Sequence, residues 1–286
     1  MDLSIIIVSY NTKDLLKECL ISIYKNISQI KFEILVVDNN SRDGSPLMVE
    51  KKFSKVKLIK NRENKGFAAA NNIGIKKSKG KYLLLLNSDT LVLPDSLEEM
   101  VKFMDRTPEA GVVGGKLLNP DGSLQSFGRG RSLKQSRERE IKEVTWVEGS
   151  CLMVRREVVN KIGLMDENFF FYSEDMDWCR RIRLARWKIF VLPQAKIIHY
   201  GGGSIKRGDS KIISEAYQSG YYYVKKHFGK FAEAIYRNVV LIEISVKLLI
   251  WVLAYLATLG KRPDFAQRVI IYGKAAKANL WRKKSS

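Results

Sequence analysis

The first 90 residues alternate short apolar runs with segments of helical periodicity. Parallel strands that are covered on both faces give such near-continuous apolar runs. Leu16, Leu20 and Ile23 recur at helical spacing after the first run, and further helices are predicted after Pro46 and over residues 67–77. This alternation predicts right-handed βαβ units and a doubly wound α/β sheet. The four predicted strands cover residues 3–8, 32–37, 56–59 and 82–86.

The pattern is less regular after this region. A strand is predicted at 111–118, and the sequence NPDGS that follows it favours a hairpin turn. Residues Gly128–Glu143 are rich in Arg, Lys, Glu and Ser and have little apolar periodicity. Because such a segment buries too little apolar area to order itself, we expect a mobile loop that closes over a bound substrate. A helix near 174–187 and a strand pair that ends at 197–200 are predicted next.

The chain from residue 211 onward is predicted to be helical, and it is both apolar and basic. Val239–Leu259 is interrupted only by the charged residues Glu243 and Lys247, and about 20 apolar residues suffice to span a bilayer. Residues 201–286 carry 16 Lys and Arg against 5 Asp and Glu, on both sides of this segment. A helix that lies in the interface of an anionic membrane fits this pattern better than a span does. A packing helix in a homodimer or between domains is the alternative.

The whole chain has a net charge of +20, which indicates a polyanionic partner: nucleic acid, anionic lipid or a phosphorylated substrate. No DNA- or RNA-reading motif surrounds the basic residues, so nucleic acid is not the expected partner. Neither GxGxxG nor GxxxxGK[ST] is present, which argues against a dinucleotide cofactor and a P-loop. The cysteines, Cys19, Cys151 and Cys179, are far apart and odd in number, as expected in a reducing compartment. The first apolar run is too short for a signal peptide, so a cytoplasmic protein is expected.

Polar clusters follow three of the predicted strands, at the edge where open α/β sheets bind their ligands. Asp38 could accept a hydrogen bond from the N3–H of a nucleobase, or it could form an Asx turn. Asp89 could join a divalent cation to a diphosphate, or it could cap the helix that follows Pro94. The clusters are Ser9-Tyr10-Asn11, Asp38-Asn39-Asn40-Ser41 and Asn87-Ser88-Asp89-Thr90.

Four strings in this region follow one another in a recognisable order: IIIVSYN, VVDNNSRDGS, NKGFAAANNIGI and LLLLNSDT. Together they resemble the donor half of the inverting glycosyltransferases of family two. The later string WVEGSCLMVRREVVNKIGLMDENFFFYSEDMDWCRRI resembles the acceptor side of bacterial rhamnosyltransferase-like members. The resemblance covers roughly residues 1–205. It implies a GT-A fold, which is a Rossmann-like, mostly parallel sheet with helices on both faces.

Three regions are therefore expected. Residues 1–120 would form the nucleotide-sugar half and residues 121–210 the acceptor half of a catalytic domain. Residues 211–286 would form a C-terminal helical appendage that is associated with the membrane.

The resemblance also implies the residues that bind the donor. Asp38 would contact the pyrimidine, and Asn87-Ser88-Asp89 stands at the family's DxD motif for ribose and metal. Asn87 replaces the first acid of that motif, so it can bond a hydroxyl but carries no charge. Lys65 would border the nucleotide and diphosphate, or it could form a surface salt bridge instead. The implied nucleotide-binding residues are Ser9, Tyr10, Asp38, Asn40, Lys65, Gly66, Asn71, Asn87 and Ser88.

The metal and acceptor residues are implied in the same way. Asp89 would bind Mg²⁺ or Mn²⁺. His199 would join it, as in some family members, although a lone histidine is more often structural. Trp146 and Trp178 could stack on an acceptor sugar, or they could pack in the core.

Glu174-Asp175 matches the acidic pair of the family, in which the Asp acts as the base. Asp175 is therefore the expected base, and Glu174 is the second candidate for that role. Displacement of a nucleoside diphosphate from an anomeric carbon passes through an oxocarbenium-like state, and a carboxylate must take the proton of the acceptor hydroxyl. The alternative is a helix N-terminus that Ser173 caps and acids stabilise through the macrodipole. Both roles are compatible.

The expected function is transfer, with inversion, of a sugar from a UDP- or dTDP-sugar to a hydroxyl of a saccharide or polyprenyl-diphosphate-linked acceptor. The resemblance favours dTDP-rhamnose as donor and cell-surface polysaccharide synthesis as the process. Such an enzyme would lie on the inner face of the cell membrane. Two alternatives stay open: a basic nucleic-acid-binding protein, and an inactive nucleotide-sugar binder, because Asn87 replaces an acid.

Overall fold

The computed structural model describes residues 1–125, 140–201, 210–259 and 261–280. They separate into two compact units. The first contains residues 1–168 and 174–201, and the second contains residues 169–173 and the described residues from 210 onward. The predicted division into 1–210 and 211–286, and of the former at residue 120, stays a prediction.

The first unit is an α/β sheet with helices on both faces. Its strands are β1 (Leu3–Ser9), β2 (Phe32–Asp38), β3 (Lys57–Lys60), β4 (Tyr82–Asn87), β5 (Thr90–Val92), β6 (Ala110–Leu118), β7 (Lys142–Glu143), β8 (Cys151–Arg155) and β9 (Lys188–His199). Its helices are α1 (Lys13–Asn26), α2 (Ser45–Lys52), α3 (Phe67–Lys77), α4 (Ser96–Arg106), α5 (Arg156–Ile162) and α6 (Glu174–Leu184).

The sheet has the strand order β3-β2-β1-β4-β8-β6-β9-β5, and β7 pairs with β9. Strands β1 to β4 are parallel, whereas β8 is antiparallel to both β4 and β6. Side chains alternate between two cores: Ile5 and Ile7 of β1 join one cluster, and Ile6 joins the other. Because both faces are buried, the strands read as continuous apolar runs. The predicted fold is confirmed, with β8 as an antiparallel strand that the sequence pattern did not reveal.

Two predicted features are wrong in detail. The predicted strand pair before residue 200 is the single strand β9, whose pairing with β6 shifts between Leu192 and Lys196. Pro193 lies in this irregularity and lacks the N–H that a ladder needs. The predicted loop Gly128–Glu143 falls largely outside the described residues, but its end forms β7, with Lys142 opposite Val191.

The predicted hairpin after β6 is confirmed. The Asn119 N–H donates to the Ser123 carbonyl at 2.8 Å, and the Gly122 N–H donates to the Asn119 carbonyl at 2.9 Å. Gly122 has a φ of +80°, a left-handed conformation that glycine adopts without strain. The turn brings Gln125 back beside β6, where its N–H donates to the Leu117 carbonyl.

The second unit consists mainly of α7 (Ser210–Ala257) and α8 (Pro263–Leu280), which pack on each other. Gly229 interrupts α7 with a φ of 87° and a ψ of 173°. The core of the unit includes Tyr221, Val240, Ile244 and Ala275. Helix residues 215–257 are long and apolar enough to cross a membrane. An 18-residue window within them has a mean hydropathy of 2.3, and 11% of that window is buried.

Candidate active site

Hydroxyl groups join the ends of β1 and β4. Ser9 Oγ lies 3.1 Å from Thr12 Oγ1, which lies 2.9 Å from Ser88 Oγ, and all three side chains are buried. The backbone of β2 is tied to the same place, since the Asn39 N–H donates to the Ser9 carbonyl at 2.8 Å. The structure thus brings together the predicted residues Ser9 and Ser88, in a network whose hydroxyls bond one another.

Asp38 ends β2 and is 2% exposed. Its Oδ2 accepts the Ser41 N–H at 3.0 Å, as an Asx turn would. Its Oδ1 is buried and has no hydrogen-bond partner among the described residues. An unsatisfied buried acceptor costs about 1–3 kcal/mol, so an incoming donor group at this oxygen would be stabilising. Both sequence readings of Asp38, the turn and the ligand, are compatible with this geometry.

The side chain of Asn39 holds the loop between β3 and α3. Its Oδ1 accepts from Asn61 Nδ2 at 2.8 Å and from the Lys65 N–H at 3.4 Å. Its Nδ2 donates to Asn64 Oδ1 and to the Gly66 carbonyl, both at 3.1 Å. All four hydrogen bonds that an amide side chain can make to this loop therefore position the residues predicted to border the nucleotide.

The remaining predicted donor residues lie around this loop. Lys65 Nζ pairs with Glu63 at 3.1 Å, so the surface salt bridge anticipated from the sequence is present. Asn71 is buried in α3 and its Nδ2 donates to the Phe67 carbonyl at 3.0 Å. The list is completed by partly buried Tyr10 after β1, Asn40 with a left-handed φ of 68°, and Gly66 with a φ of 81°.

Asp89 and His199 face each other across two strands. Thr90 of β5 pairs with His199 of β9, and the Tyr200 N–H donates to the Asp89 carbonyl at 3.0 Å. This register places His199 Nε2 at 3.4 Å from Asp89 Oδ1, with both side chains largely buried. Asn87 Nδ2 lies 3.4 Å from the same ring nitrogen. The strand pairing therefore brings together three residues that are far apart in the sequence.

Gln125 orients the histidine ring. Its Nε2 donates to the His199 carbonyl at 3.0 Å, which turns Oε1 toward His199 Nδ1 at 2.8 Å. The Nδ1–H then donates to Oε1, and Nε2 is the ring nitrogen that faces the Asp89 carboxylate. Metal-binding histidines are commonly oriented by such a bond from the other ring nitrogen. No group of three or more His, Cys, Asp or Glu that could hold a metal occurs among the described residues. Two protein ligands nevertheless suit Mg²⁺ or Mn²⁺, which take the rest from substrate phosphates and water.

Glu174 and Asp175 begin α6 as a pair of adjacent acids, of which Glu174 is buried and Asp175 is partly buried. Asp175 Oδ2 accepts the Gly149 N–H at 3.0 Å, and Oδ1 accepts the Met176 N–H at 2.7 Å. Burial raises the pKa of Asp175, although these two bonds oppose the shift. Burial, and then the Asp175 charge, raise the pKa of Glu174, whose Oε2 has no hydrogen-bond partner among the described residues. Of the two carboxyl groups, Asp175 is therefore the better stabilised as an anion.

The segment 148–151 lies between these acids and the donor side. The Gly149 N–H donates to Asp175, while the Ser150 carbonyl accepts the Asn87 N–H at 3.0 Å. A side chain at Gly149 would come within 2.9 Å of the Phe67 ring, so only glycine lets the backbone approach α3 here. Burial, and then the nearby Asp175 charge, raise the pKa of Glu148 to about 7. This segment couples the two halves of the site through the backbone.

Comparison with known proteins identifies the family. The sequence profile of glycosyl transferase family 2 matches residues 4–163, more than half of the chain. The chain belongs to glycosyl transferase family 2. An N-acetylglucosaminyl-diphospho-decaprenol L-rhamnosyltransferase of Mycobacterium tuberculosis is 27% identical over an alignment of 232 residues, which covers 68% of this chain and 76% of that protein. The predicted membership is confirmed, including its rhamnosyltransferase-like character.

Two other proteins extend the comparison. A low-salt glycan biosynthesis hexosyltransferase of Haloferax volcanii is 30% identical over an alignment of 214 residues, which covers 69% of this chain and 67% of that protein. A Pyrobaculum calidifontis mannosyltransferase, solved with GDP-Man and Mn²⁺, gives a TM-score of 0.64 at 20% identity. The match covers 99% of this chain and 88% of that one, and it supports the GT-A fold.

The two tryptophans of the glycosyltransferase differ in their surroundings. Trp178 is fully buried, and its indole N–H donates to the Gly163 carbonyl at 3.0 Å. It has no free face for a sugar ring, so we leave it out of the proposed acceptor site. Trp146 is only partly buried and borders a pocket. The core-packing alternative fits Trp178, and the acceptor role remains a proposal for Trp146.

Three residues of the glycosyltransferase site were missed from the sequence: Asn39, Gln125 and Glu148. Asn39 was noted only as part of a polar cluster, and its four bonds depend on the loop conformation. Gln125 acts on a residue 74 positions away. Glu148 lies in the string that carried the family resemblance, but its burial is not visible in that string. Only the apolar residues around it signalled that the segment is buried.

Proposed function

We propose that this glycosyltransferase transfers a sugar, with inversion, from a pyrimidine nucleotide-sugar to a hydroxyl of a saccharide or lipid-linked acceptor. The observation that carries the proposal is the Glu174-Asp175 pair at the start of α6. Asp175 accepts the Gly149 N–H, and the next residue of that segment, Ser150, accepts the N–H of Asn87 at the end of β4, two residues before Asp89. A base and a diphosphate site are thereby joined in one unit. The name of the M. tuberculosis relative supports a rhamnosyl donor and a polyprenyl-diphosphate-linked acceptor in glycan synthesis.

Donor binding would use the open hydrogen-bonding positions of the strand ends. Asp38 Oδ1 would accept the N3–H of uracil or thymine, which satisfies its buried lone pair. Asp89 and His199 would hold Mg²⁺ or Mn²⁺ next to the diphosphate. A bound divalent cation supplies charge stabilisation for the leaving diphosphate.

In the transfer step, the Asp175 carboxylate takes the proton of the acceptor hydroxyl, while the oxygen of that hydroxyl bonds to the anomeric carbon. The bond from that carbon to the nucleoside diphosphate breaks, and attack from the opposite face inverts the configuration. Asp175 is favoured over Glu174 because two backbone N–H groups stabilise its anion. Glu174 receives no such bond at Oε2.

An activity assay with UDP- and dTDP-sugars, with Mg²⁺ or Mn²⁺, tests the proposal. Asp175→Asn should lower turnover by about 100- to 10,000-fold, the usual contribution of a general base, with nucleotide affinity changed only a few-fold. Asp14→Asn, at an exposed acid in the first turn of α1, is the matched control and should keep full activity. Unchanged turnover of Asp175→Asn would eliminate Asp175 as the base.

We also propose that the second unit attaches the enzyme to the inner face of the cell membrane. Val240 and Ile244 of α7 are buried in the core that includes Ala275 of α8, while other apolar side chains of α7 are exposed at helical spacing. Such a one-sided apolar face with basic ends suits an anionic interface. The residues that share this face are Phe231, Ile235, Val239, Ile242, Val246, Leu249, Leu253 and Leu256.

Vesicle sedimentation tests this attachment. The full chain should bind anionic vesicles in a salt-sensitive way. The double variant Leu249→Ser with Leu253→Ser should lose this binding and keep its nucleotide affinity. Leu47→Ser, at an exposed leucine of the first unit, should bind like the wild type. Equal partitioning to neutral and anionic vesicles, or to neither, would refute the attachment and favour a packing helix.

A further inference from the structure

A short segment in front of the acidic pair belongs to the second unit. Phe169–Ser173 groups with the helices α7 and α8, whereas the residues that precede and follow it belong to the first unit. Ser173 is joined directly to Glu174, the first residue of α6. The chain therefore leaves the second unit immediately before it reaches the proposed base. The proposed steps of the reaction give this segment no role.

Three residues of α7 hold this segment. Ser219 is buried, and its Oγ donates to the Phe171 carbonyl at 2.8 Å. Phe169 is 1% exposed, and its ring lies edge-on to the Tyr222 ring, with the two centroids 4.9 Å apart. Lys226 Nζ lies 5.6 Å from the centroid of the same Phe169 ring, within the range of a cation–π contact. Ser219, Tyr222 and Lys226 are three and four residues apart, so they share one face of the helix.

The end of the segment has a strained backbone. Tyr172 and Ser173 have φ values of 68° and 69°, in the left-handed region that residues with a Cβ enter at an energetic cost. Such residues keep this conformation only where the surrounding structure holds them. The contacts of α7 with Phe169 and Phe171 lie just before the strained residues. We therefore expect the segment to relax when these contacts are lost.

The later turns of α6 are held by the first unit. The Trp178 indole N–H and the Arg181 guanidinium donate to backbone carbonyls in the loop after α5, at 3.0 and 2.9 Å. Asp175 lies in the first turn, directly after the residues with left-handed φ values. The position of its backbone therefore depends on the chain that enters from Ser173.

We infer that Ser219, Tyr222 and Lys226 are positioning residues for the proposed base. They hold Phe169–Ser173 in its strained conformation and thereby set the position of Asp175. This inference rests on the proposed function. A general base must lie within hydrogen-bond reach of the hydroxyl, and a displacement of about 1 Å can lower a rate by about 100-fold. The second unit would thus contribute to turnover as well as to the proposed attachment.

Hydrolysis of the donor by water tests the inference in the full-length protein. The probe is the UDP- or dTDP-sugar that the wild type hydrolyses fastest with Mn²⁺, and Asp175 acts here on water instead of the acceptor hydroxyl. Ser219→Ala should lower kcat by about 10- to 100-fold, because it removes the bond to segment 169–173. The donor KM and the UDP affinity should stay within a few-fold. Tyr222→Ala should act in the same way, and Tyr222→Phe should restore most of the rate because it keeps the ring. Ser245→Ala, at an exposed serine of α7, is the matched control.

A double-variant cycle separates positioning from a general loss of structure. Ser219→Ala added to Asp175→Asn should not lower the residual rate further, because no base is left to position. An equal further loss in both backgrounds, a parallel fall in UDP affinity, or an unchanged kcat in Ser219→Ala would each overturn the inference. An inactive wild type would instead refute the proposed function, and full activity of Asp175→Asn would refute the assignment of the base.

Discussion

The donor side and the acid side of the site differ in how the protein satisfies their polar groups. At the donor side, the Ser9, Thr12 and Ser88 hydroxyls bond one another, and the Asn39 amide makes four bonds to one loop. At the acid side, Glu174 Oε2 has no partner among the described residues and Glu148 has one long bond. The donor side is therefore held in place by the protein, whereas on the acid side Asp175 is fixed by two backbone N–H groups and its neighbours Glu148 and Glu174 have few protein donors.

This difference has an energetic meaning. Buried hydrogen-bonded networks fix a geometry at little net cost, while unpaired buried carboxyl groups resist ionisation. Asp175 differs from its neighbours on the acid side, because two backbone N–H groups stabilise its anion and keep it available for proton transfer. Asp38 Oδ1 is the donor-side exception, and it is where we propose that the nucleobase binds.

The largest expected effect that sharpens this comparison comes from Asp89. Asp89→Ala should lower turnover by about 100-fold or more and abolish the thermal stabilisation that Mn²⁺ adds to that of UDP alone, because a metal contributes several kcal/mol of charge stabilisation. UDP affinity without metal should persist, since the network around Ser9 does not depend on Asp89. His199→Ala should weaken metal activation by about 10- to 100-fold.

His227→Ala supplies the control, because His227 lies in the second unit and is the other of the two histidines in the chain. It should respond to Mn²⁺ as the wild type does. A metal response that survives His199→Ala unchanged would assign this histidine a structural role only. Loss of metal-free UDP binding in Asp89→Ala would show that the two sides of the site are not independent.

The fold was predictable where burial on both faces produced a continuous apolar pattern. The predicted strands 3–8, 32–37 and 82–86 each lack only the polar residue at the end of the observed strand, which still pairs in the sheet. β7 was missed because Lys142 and Glu143 are polar and owe their conformation to pairing with β9. β9 was predicted as two strands, and Pro193 in its middle lacks the N–H with which a strand continues its ladder.

The site was predictable where a motif places residues next to one another. Asp89 belongs to the contiguous motif Asn87-Ser88-Asp89, and Glu174 and Asp175 are adjacent, so each could be recognised from a short stretch of sequence. The structure places Asp89 beside His199 and the acidic pair at the start of α6. Gln125 and Glu148 could not be found in this way. The role of Gln125 depends on a hairpin that returns it to β9, and that of Glu148 depends on a depth of burial that several distant strands create.

The smallest expected effect concerns stability and tests whether the unpaired state of the acid side has a cost. The pKa of Glu174 in the folded protein is raised above its ordinary value of 4.5, with burial as the main cause. Above pH 4.5 the unfolded chain loses this proton before the folded one does, so the free energy of unfolding falls as pH rises toward the raised pKa. Glu174→Gln removes the contribution of Glu174 to this slope, while those of Glu148 and Asp175 stay, and should stabilise the protein at neutral pH by about 1 kcal/mol, the low end of the cost of an unpaired buried group. Urea unfolding between pH 5 and pH 8 measures both quantities, with Glu157→Gln, at an exposed acid of α5, as the control. If Glu174→Gln keeps the wild-type slope and stability, the acid side is not strained by its buried carboxyl, and the contrast between the two sides is one of hydrogen-bond count alone.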